Sequence, residues 1–252
     1  MKKLIIANWK VNPKNVGKAK ILAEKTEAAV SAYKNIEVVV APPFPFLESV
    51  GALLSSVELA AQDVWGMEGP YTGMVSARQL KSLGVTHVII GHSERRIHAG
   101  ETDAMIQKKL SAVLAQGLHA VLCIGEYQRQ GSEIPAMVGD QLSTALKGIK
   151  KEMLRRLTVA YEPVWAISTS AGARGPATPD TAFRARIYIE KILAVLFGAR
   201  AATAARVIYG GSVAPGNISA FIAEGRMDGA LVGGASLDAK KIGAIVRSAT
   251  VV

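Results

Sequence analysis

Several polar or glycine-rich residues that follow apolar runs are of the types that act on an anionic substrate. Glu162 offers a carboxylate that could act as a base. His92 offers an imidazole, and Lys10 offers a fixed positive charge that is most effective in a dry pocket. The pairs Gly210-Gly211 and Gly233-Gly234 lack side chains, so an anion could approach their backbone N–H groups closely.

Taken alone, each of these residues has a simpler structural interpretation. A glutamate after a strand is more often part of a salt bridge than a base, and a lysine there usually faces solvent. A glycine pair by itself indicates only a turn. The chemical interpretation therefore depends on elements that bring these residues to one place.

Eight short apolar runs could be the strands that position them. Most are continuously apolar rather than alternating, which is typical of parallel strands buried on both faces. Helical patterns lie between them, with apolar residues three or four positions apart. The predicted strands are residues 4–7, 36–41, 57–61, 88–90, 120–124, 158–161, 206–209 and 230–232. The predicted apolar helix faces are Ile106, Leu110, Val113 and Leu114; Ile189, Leu193, Leu196 and Phe197; and Ile218, Phe221 and Ile222.

The number and spacing of these runs predict a closed (β/α)8 barrel of parallel strands. Dividing 252 residues among eight runs gives about 31 residues per strand–helix unit, a common length for one. An open, doubly wound sheet is the alternative, but Asn8-Trp9-Lys10 stands where its glycine-rich turn would be. The carboxyl ends of barrel strands form the catalytic face, so the candidate residues would share one mouth.

Composition restricts the class of protein further. Half of the residues are hydrophobic, which excludes a disordered chain, and no apolar run approaches the roughly 18 residues of a membrane helix. The single cysteine, Cys123, cannot form an intramolecular disulfide, which fits a reducing cytosol, and it lies in an apolar run as a packed thiol. The net charge of +10 suits either an anionic substrate or a polyanion.

Seven motifs follow the predicted strands in chain order. They are Ala7-Asn8-Trp9-Lys10, Ala61-Gln62-Asp63-Val64, Gly91-His92-Ser93-Glu94-Arg95-Arg96, Cys123-Ile124-Gly125-Glu126, Tyr161-Glu162-Pro163-Val164-Trp165-Ala166-Ile167, Tyr209-Gly210-Gly211-Ser212-Val213 and Leu231-Val232-Gly233-Gly234-Ala235-Ser236-Leu237. Together they resemble the triosephosphate isomerase family over residues 4–237. The resemblance implies a single TIM-barrel domain over residues 1–252. It also implies a cytoplasmic homodimer without metal or organic cofactor that interconverts dihydroxyacetone phosphate and D-glyceraldehyde 3-phosphate through an enediolate, in glycolysis and gluconeogenesis.

The same resemblance implies a role for each matching site residue. Glu162 would be the base, and His92 would be the neutral electrophile that acts on the enediolate oxygens. Lys10 would stabilise the developing negative charge, Asn8 would orient Lys10, and Glu94 would hydrogen-bond to Lys10. The residues implied in phosphate binding are Asn8, Lys10, Ser168, Ser212, Gly233 and Gly234. The other histidines, which are His87, His98 and His119, are expected to be structural.

Two segments depart from the family pattern. The lid after the sixth strand usually reads Ala-Ile-Gly-Thr-Gly, but here Ser168 and Ser170 replace the glycines and four residues are added before Pro179. We expect retained chemistry with altered lid closure, because serine resists positive φ angles. The loop at residues 69–74 keeps Thr72 of the family's dimer loop, but Met74 stands where glutamate is common and could have paired with Arg95 of the other subunit.

Two alternatives remain open at this point. The chain could be another phosphate-binding barrel enzyme, although a Schiff-base aldolase would need a lysine inside a later strand and these runs have none. It could also be a basic barrel with weakened catalysis that binds polyanions. The basic clusters lack the interleaved aromatic residues that stack on bases, so we expect no nucleic-acid partner, and no membrane partner. The basic clusters are Lys2, Lys3, Lys10, Lys14, Lys18 and Lys20, and Lys150, Lys151, Arg155 and Arg156.

Overall fold

The computed structural model describes residues 1–129, 131–167 and 177–251. Its eight parallel strands pair in sequence order, and β1 pairs with β8 to close the barrel. The predicted barrel is therefore confirmed, and the open sheet is wrong. The strands are β1 (Lys3–Asn8), β2 (Ile36–Ala41), β3 (Glu58–Ala61), β4 (His87–Ile90), β5 (His119–Glu126), β6 (Leu157–Pro163), β7 (Arg206–Tyr209) and β8 (Gly229–Val232).

Helices connect the strands and cover the outside of the barrel. The predicted apolar faces at residues 106–114 and 218–222 are buried, whereas the third is buried at Ile189 and Leu193 but not at Leu196, which is 44% exposed. Leu196 lies in the last turn, just before Gly198 ends the helix with a φ of +87°. The helices are α1 (Val16–Val30), α2 (Leu47–Gly51), α3 (Ala77–Ser82), α4 (Ser93–His98), α5 (Asp103–Ala115), α6 (Ala136–Ala145), α7 (Pro179–Phe197), α8 (Ala199–Ala202), α9 (Ile218–Ala223) and α10 (Ala239–Thr250).

The continuous apolar character of the strands follows from burial on both of their faces. Alternate residues point into the barrel, where they form one apolar cluster, and the residues between them pack against the helices. Cys123 belongs to the interior cluster and is fully buried, so it is a packed thiol as predicted. Burial, together with the nearby Glu162 carboxylate, holds the pKa of this thiol well above its usual value.

At the amino-terminal mouth, the same alternation directs polar side chains inward. Glu37, Glu58, His87, His119 and Arg206 each lie two residues before a member of the interior cluster. The rings of His87 and His119 stack with their centroids 4.8 Å apart. These two histidines thus lie at the opposite end of the barrel from the predicted catalytic face.

None of the helices within the described ranges is long and apolar enough to cross a membrane.

Candidate active site

Lys10 lies just beyond the carboxyl end of β1 in an unusual backbone conformation. Its φ angle is +53°, in the left-handed region that residues with a Cβ atom rarely adopt. Its N–H group donates to Asn8 Oδ1 at 3.1 Å, and its ammonium Nζ lies 2.5 Å from Glu94 Oε1. The structure therefore brings together Asn8, Lys10 and Glu94, as the motifs implied.

His92 immediately precedes α4 and caps its first turn. The Glu94 N–H donates to His92 Nδ1 at 3.2 Å, so Nδ1 accepts a hydrogen bond. A ring nitrogen that accepts a hydrogen bond carries no proton, so the ring N–H group available to other partners is that of Nε2. Nε2 lies 3.2 Å from Glu162 Oε1, so the N–H of the imidazole is presented at the catalytic mouth.

Glu162, in β6, has a buried carboxylate that is only 2% exposed. Its Oε2 accepts a hydrogen bond from the Ser93 N–H at 2.9 Å, whereas Oε1 faces the His92 ring. The side chain lies directly over Gly210, where an added Cβ would come within 2.9 Å of Glu162 Cγ. A carboxylate with so little water around it and few hydrogen-bond donors is a suitable base for a carbon-bound proton.

Ser93 is a site residue to which the sequence analysis assigned no role. Only its backbone N–H contacts Glu162, so the type of its side chain gave no signal. The signal that could have identified it is its position as the first residue of a helix that follows the capping His92, because the first N–H groups of a helix need partners outside it.

Asn8, Lys10 and His92 line one pocket, together with the two glycine pairs that follow β7 and β8. A Cβ added at Gly233 would lie 3.4 Å from Lys10 Cε, so this loop passes directly beside the lysine side chain. Ser212 reaches the pocket from the loop after β7, and its hydroxyl donates to the Ala166 carbonyl oxygen at 2.9 Å. The pocket residues are Asn8, Lys10, His92, Ile167, Gly210, Gly211, Ser212, Val213, Leu231, Gly233, Gly234 and Ala235.

The segment that leads to the predicted lid is tied to the neighbouring strand. The Trp165 Nε1–H and the Tyr161 hydroxyl donate to Glu126 Oε1, at 3.0 Å and 2.7 Å. Burial raises the pKa of the Glu126 carboxyl although these two hydrogen bonds oppose the shift. Ser168 and Ser170 lie outside the described residues, so the predicted phosphate contact of Ser168 and the altered lid closure stay predictions.

Arg95, the residue that Met74 leaves without an expected partner in another subunit, is paired within its own chain. Its guanidinium lies 2.8 Å from Asp63 Oδ2 and also binds Glu101. Lys109, whose side chain is 3% exposed, binds the same two carboxylates. Burial raises the pKa of Asp63, and the Lys109 ammonium only partly offsets this effect. Arg95 is therefore paired with carboxylates of its own chain without an acidic residue at position 74.

At the other mouth, potential metal ligands lie closer together than the sequence indicated. Glu37, Glu58 and His87 offer ligand atoms within 4.8 Å of one another. However, Glu37 faces His87 Nε2 and Glu58 faces His87 Nδ1, each at 3.3 Å, so an ion on one nitrogen would lie across the ring from the other carboxylate. This arrangement suits a charged imidazole between two carboxylates, and the expected lack of a metal cofactor stays a prediction.

Comparisons with known proteins agree with this geometry. The family model for triosephosphate isomerase matches residues 3–249. A protein from Caldanaerobacter subterraneus subsp. tengcongensis named triosephosphate isomerase is 43% identical over 248 residues, which cover 96% of this chain and 98% of that protein. Proteins of the same name from Citrifermentans bemidjiense and Pelobacter propionicus are 42% and 40% identical, covering 98% and 96% of this chain and 99% and 97% of theirs.

Proposed function

This chain belongs to the triosephosphate isomerase family, and from this premise we propose that Glu162, His92 and Lys10 carry out the family's reaction. The protein is an isomerase that interconverts dihydroxyacetone phosphate and D-glyceraldehyde 3-phosphate, a step of glycolysis. The same reaction run in reverse would serve gluconeogenesis. The observation that best supports the assignment of roles is the buried Glu162 carboxylate, whose Oε1 lies 3.2 Å from His92 Nε2, beside the pocket that Lys10 lines.

In the proposed mechanism, Glu162 takes a proton from the carbon next to the substrate carbonyl and returns it to the neighbouring carbon. The electron pair of the broken C–H bond moves to the carbonyl oxygen, giving an enediolate. His92 donates its Nε2 proton to that oxygen and recovers a proton from the adjacent hydroxyl. The Lys10 ammonium opposes the negative charge that develops during these steps, which stabilises the transition state more than the substrate.

The substrate phosphate would be held mainly by backbone. We propose that the N–H groups of Ser212, Gly233 and Gly234 donate to it, with Lys10 beside them and Asn8 fixing the position of Lys10. Ser168 would add an N–H group from the lid. A closed lid keeps water away from the enediolate and so prevents loss of the phosphate, and the ratio of isomerisation to phosphate elimination measures whether the extended lid still does this.

Steady-state isomerisation of D-glyceraldehyde 3-phosphate, with Glu162→Gln in parallel, tests these roles. We expect the wild type to be fully active. The variant keeps the shape of the side chain but cannot accept the proton, so its kcat should be lower by about 10²–10⁴-fold. A Glu162→Gln variant that retains kcat within threefold or so of wild type would show that another group is the base.

We also propose that the chain forms one barrel domain over residues 1–252 and acts as a cytoplasmic homodimer through the loop at Thr72. Thr72 is exposed, and the exposed apolar side chains of Met67, Tyr71 and Met74, on the same segment, line one surface pocket. Because isolated exposed apolar residues are common but clusters mark interfaces, a partner surface is the better explanation. Sedimentation equilibrium at micromolar concentration tests this proposal, and a monomer there would contradict it.

A further inference from the structure

Gln62, which belongs to a motif that the mechanism leaves without a role, links the ends of two barrel strands. It directly follows β3, and its side-chain amide Nε2 donates to the Lys10 carbonyl oxygen and to the Ala41 carbonyl oxygen, both at 2.8 Å. Ala41 is the last residue of β2. One amide group therefore ties the Lys10 segment to the rigid rim of the barrel.

Lys10 needs such restraint because of its backbone conformation. A residue with a Cβ atom at a φ of +53° is strained, and it stays there only where its surroundings hold it. Asn8 Oδ1 accepts from the Lys10 N–H at 3.1 Å, while Gln62 holds the carbonyl oxygen on the other side of the residue. Both backbone polar groups of Lys10 are thus held by side chains.

The conformation of Lys10 also determines where its ammonium lies. The lysine side chain extends to Glu94 Oε1 at 2.5 Å and passes beside Gly233, where an added Cβ would meet Lys10 Cε at 3.4 Å. If φ relaxed to a negative value, the direction of the Cα–Cβ bond would change and the ammonium would leave the pocket.

We propose that Gln62 is a positioning residue for the reaction, because its amide holds the Lys10 carbonyl and so keeps the Lys10 ammonium beside the phosphate pocket. This inference rests on the proposed catalytic role of Lys10. Gln62 acts through Lys10 and does not touch the substrate. A displacement of about 1 Å at a catalytic group can cost on the order of 10²-fold in rate, so the loss of this restraint is measurable.

The test is a double-mutant cycle on kcat/KM. Gln62→Ala and Gln62→Met, the second of which keeps the volume but not the donor, should each lower kcat/KM by about 10–100-fold in the wild-type background. In the Lys10→Ala background, the same substitutions should leave kcat/KM almost unchanged, because the ammonium group that Gln62 positions is absent. Gln107→Ala is the control, because the Gln107 amide likewise donates to a backbone carbonyl oxygen, that of Lys147, at 2.9 Å. The kcat/KM of this variant should equal that of the wild type.

Each outcome of this cycle separates the positioning role from the proposed function. If Lys10→Ala alone retains kcat/KM, the role of Lys10 is wrong. If Lys10→Ala is impaired but both Gln62 variants match wild type, only the positioning role is wrong. An equal loss from the Gln62 substitutions in both backgrounds would show that Gln62 acts through something other than Lys10. Urea unfolding of each variant shows whether activity was lost through unfolding, and the Gln62→Met result decides where Gln62→Ala does not fold.

Discussion

We expect His87 to stabilise the barrel as a charged imidazole, and replacement by glutamine removes that charge. The His87 side chain is 1% exposed and lies between Glu37 and Glu58, 3.3 Å from each. Removing one partner of a buried ion pair costs about 3–5 kcal/mol. Without the imidazole, both carboxylates would still be partly stabilised, because Glu58 is 42% exposed to water and Arg206 lies 2.6 Å from Glu37. His87→Gln should therefore lower the free energy of unfolding by about 2–3 kcal/mol near pH 6.

The cost of this substitution should depend on pH in a defined direction. Burial alone would lower the pKa of His87, but the carboxylates of Glu37 and Glu58 outweigh burial and raise it. A histidine with a raised folded-state pKa binds its proton more tightly in the folded protein. Its contribution is complete below about pH 6.5, the unfolded value, and is lost as the pH rises through the folded value.

The carboxylates of the same cluster set the acidic limit of this stabilisation. Burial would raise the pKa of Glu37, but His87 and Arg206 lower it to about 2. The His87 ring likewise lowers the pKa of Glu58, against the effect of burial. Carboxylates with a lowered pKa stabilise above their unfolded value of about 4.3 and lose this effect as the pH falls through the folded value. The cluster should thus contribute most between about pH 4.3 and pH 6.5.

Urea unfolding followed by circular dichroism, in steps from about pH 5 to pH 10, measures this directly, since urea does not screen charges. The difference in unfolding free energy between wild type and His87→Gln should shrink as the pH rises. The exposed His98 supplies the control, because His98→Gln should stay within about 0.5 kcal/mol of wild type throughout. A His87→Gln cost that is equal at both ends of this pH range would refute the charged imidazole.

Two further substitutions test other close contacts. Gly210→Ala would place a Cβ 2.9 Å from Glu162 Cγ and 3.1 Å from the Tyr161 carbonyl oxygen, so the base should be displaced and kcat should fall by about tenfold or more, measured by steady-state kinetics. Lys109→Met would leave Asp63 and Glu101 buried with only Arg95 between them, so urea unfolding at about pH 7 should show a loss of about 3 kcal/mol, smaller at about pH 4.

The barrel could be predicted from the sequence because one physical requirement shaped each strand. A parallel strand covered on both faces must be apolar throughout, and each predicted run overlaps an observed strand with ends that differ by at most two residues. The predicted strands β5 and β6 ended too early, because polar residues such as Glu126 and Glu162 continue the hydrogen-bonded pairing of the two strands. The stripe of α7 was predicted one turn too long, because periodicity alone does not show where a helix leaves the barrel surface.

The candidate catalytic residues could be predicted from their motifs, but the contacts that hold them could not. Glu162 and His92 occur in recognisable motifs, whereas the Ser93 N–H that binds Glu162 belongs to the backbone of any residue at that position. Gln62 also belongs to a recognisable motif, yet its two acceptors are the carbonyl oxygens of Lys10 and Ala41. Backbone partners leave no trace in residue type, so such contacts become visible only when the strands are placed side by side.

The charges at the catalytic mouth favour the proposal that backbone groups bind the phosphate. Lys10 is already paired with Glu94, and the Glu162 carboxylate lies beside His92 Nε2. These side chains together carry one positive and two negative charges, so they do not attract a dianion, although the whole chain has a net charge of +10. In the proposed mechanism, the attraction would come from N–H groups at Ser212, Gly233 and Gly234 and from a lysine held in place against strain. Such a site would depend on fixed geometry more than on net charge, which is why we propose a positioning role for Gln62.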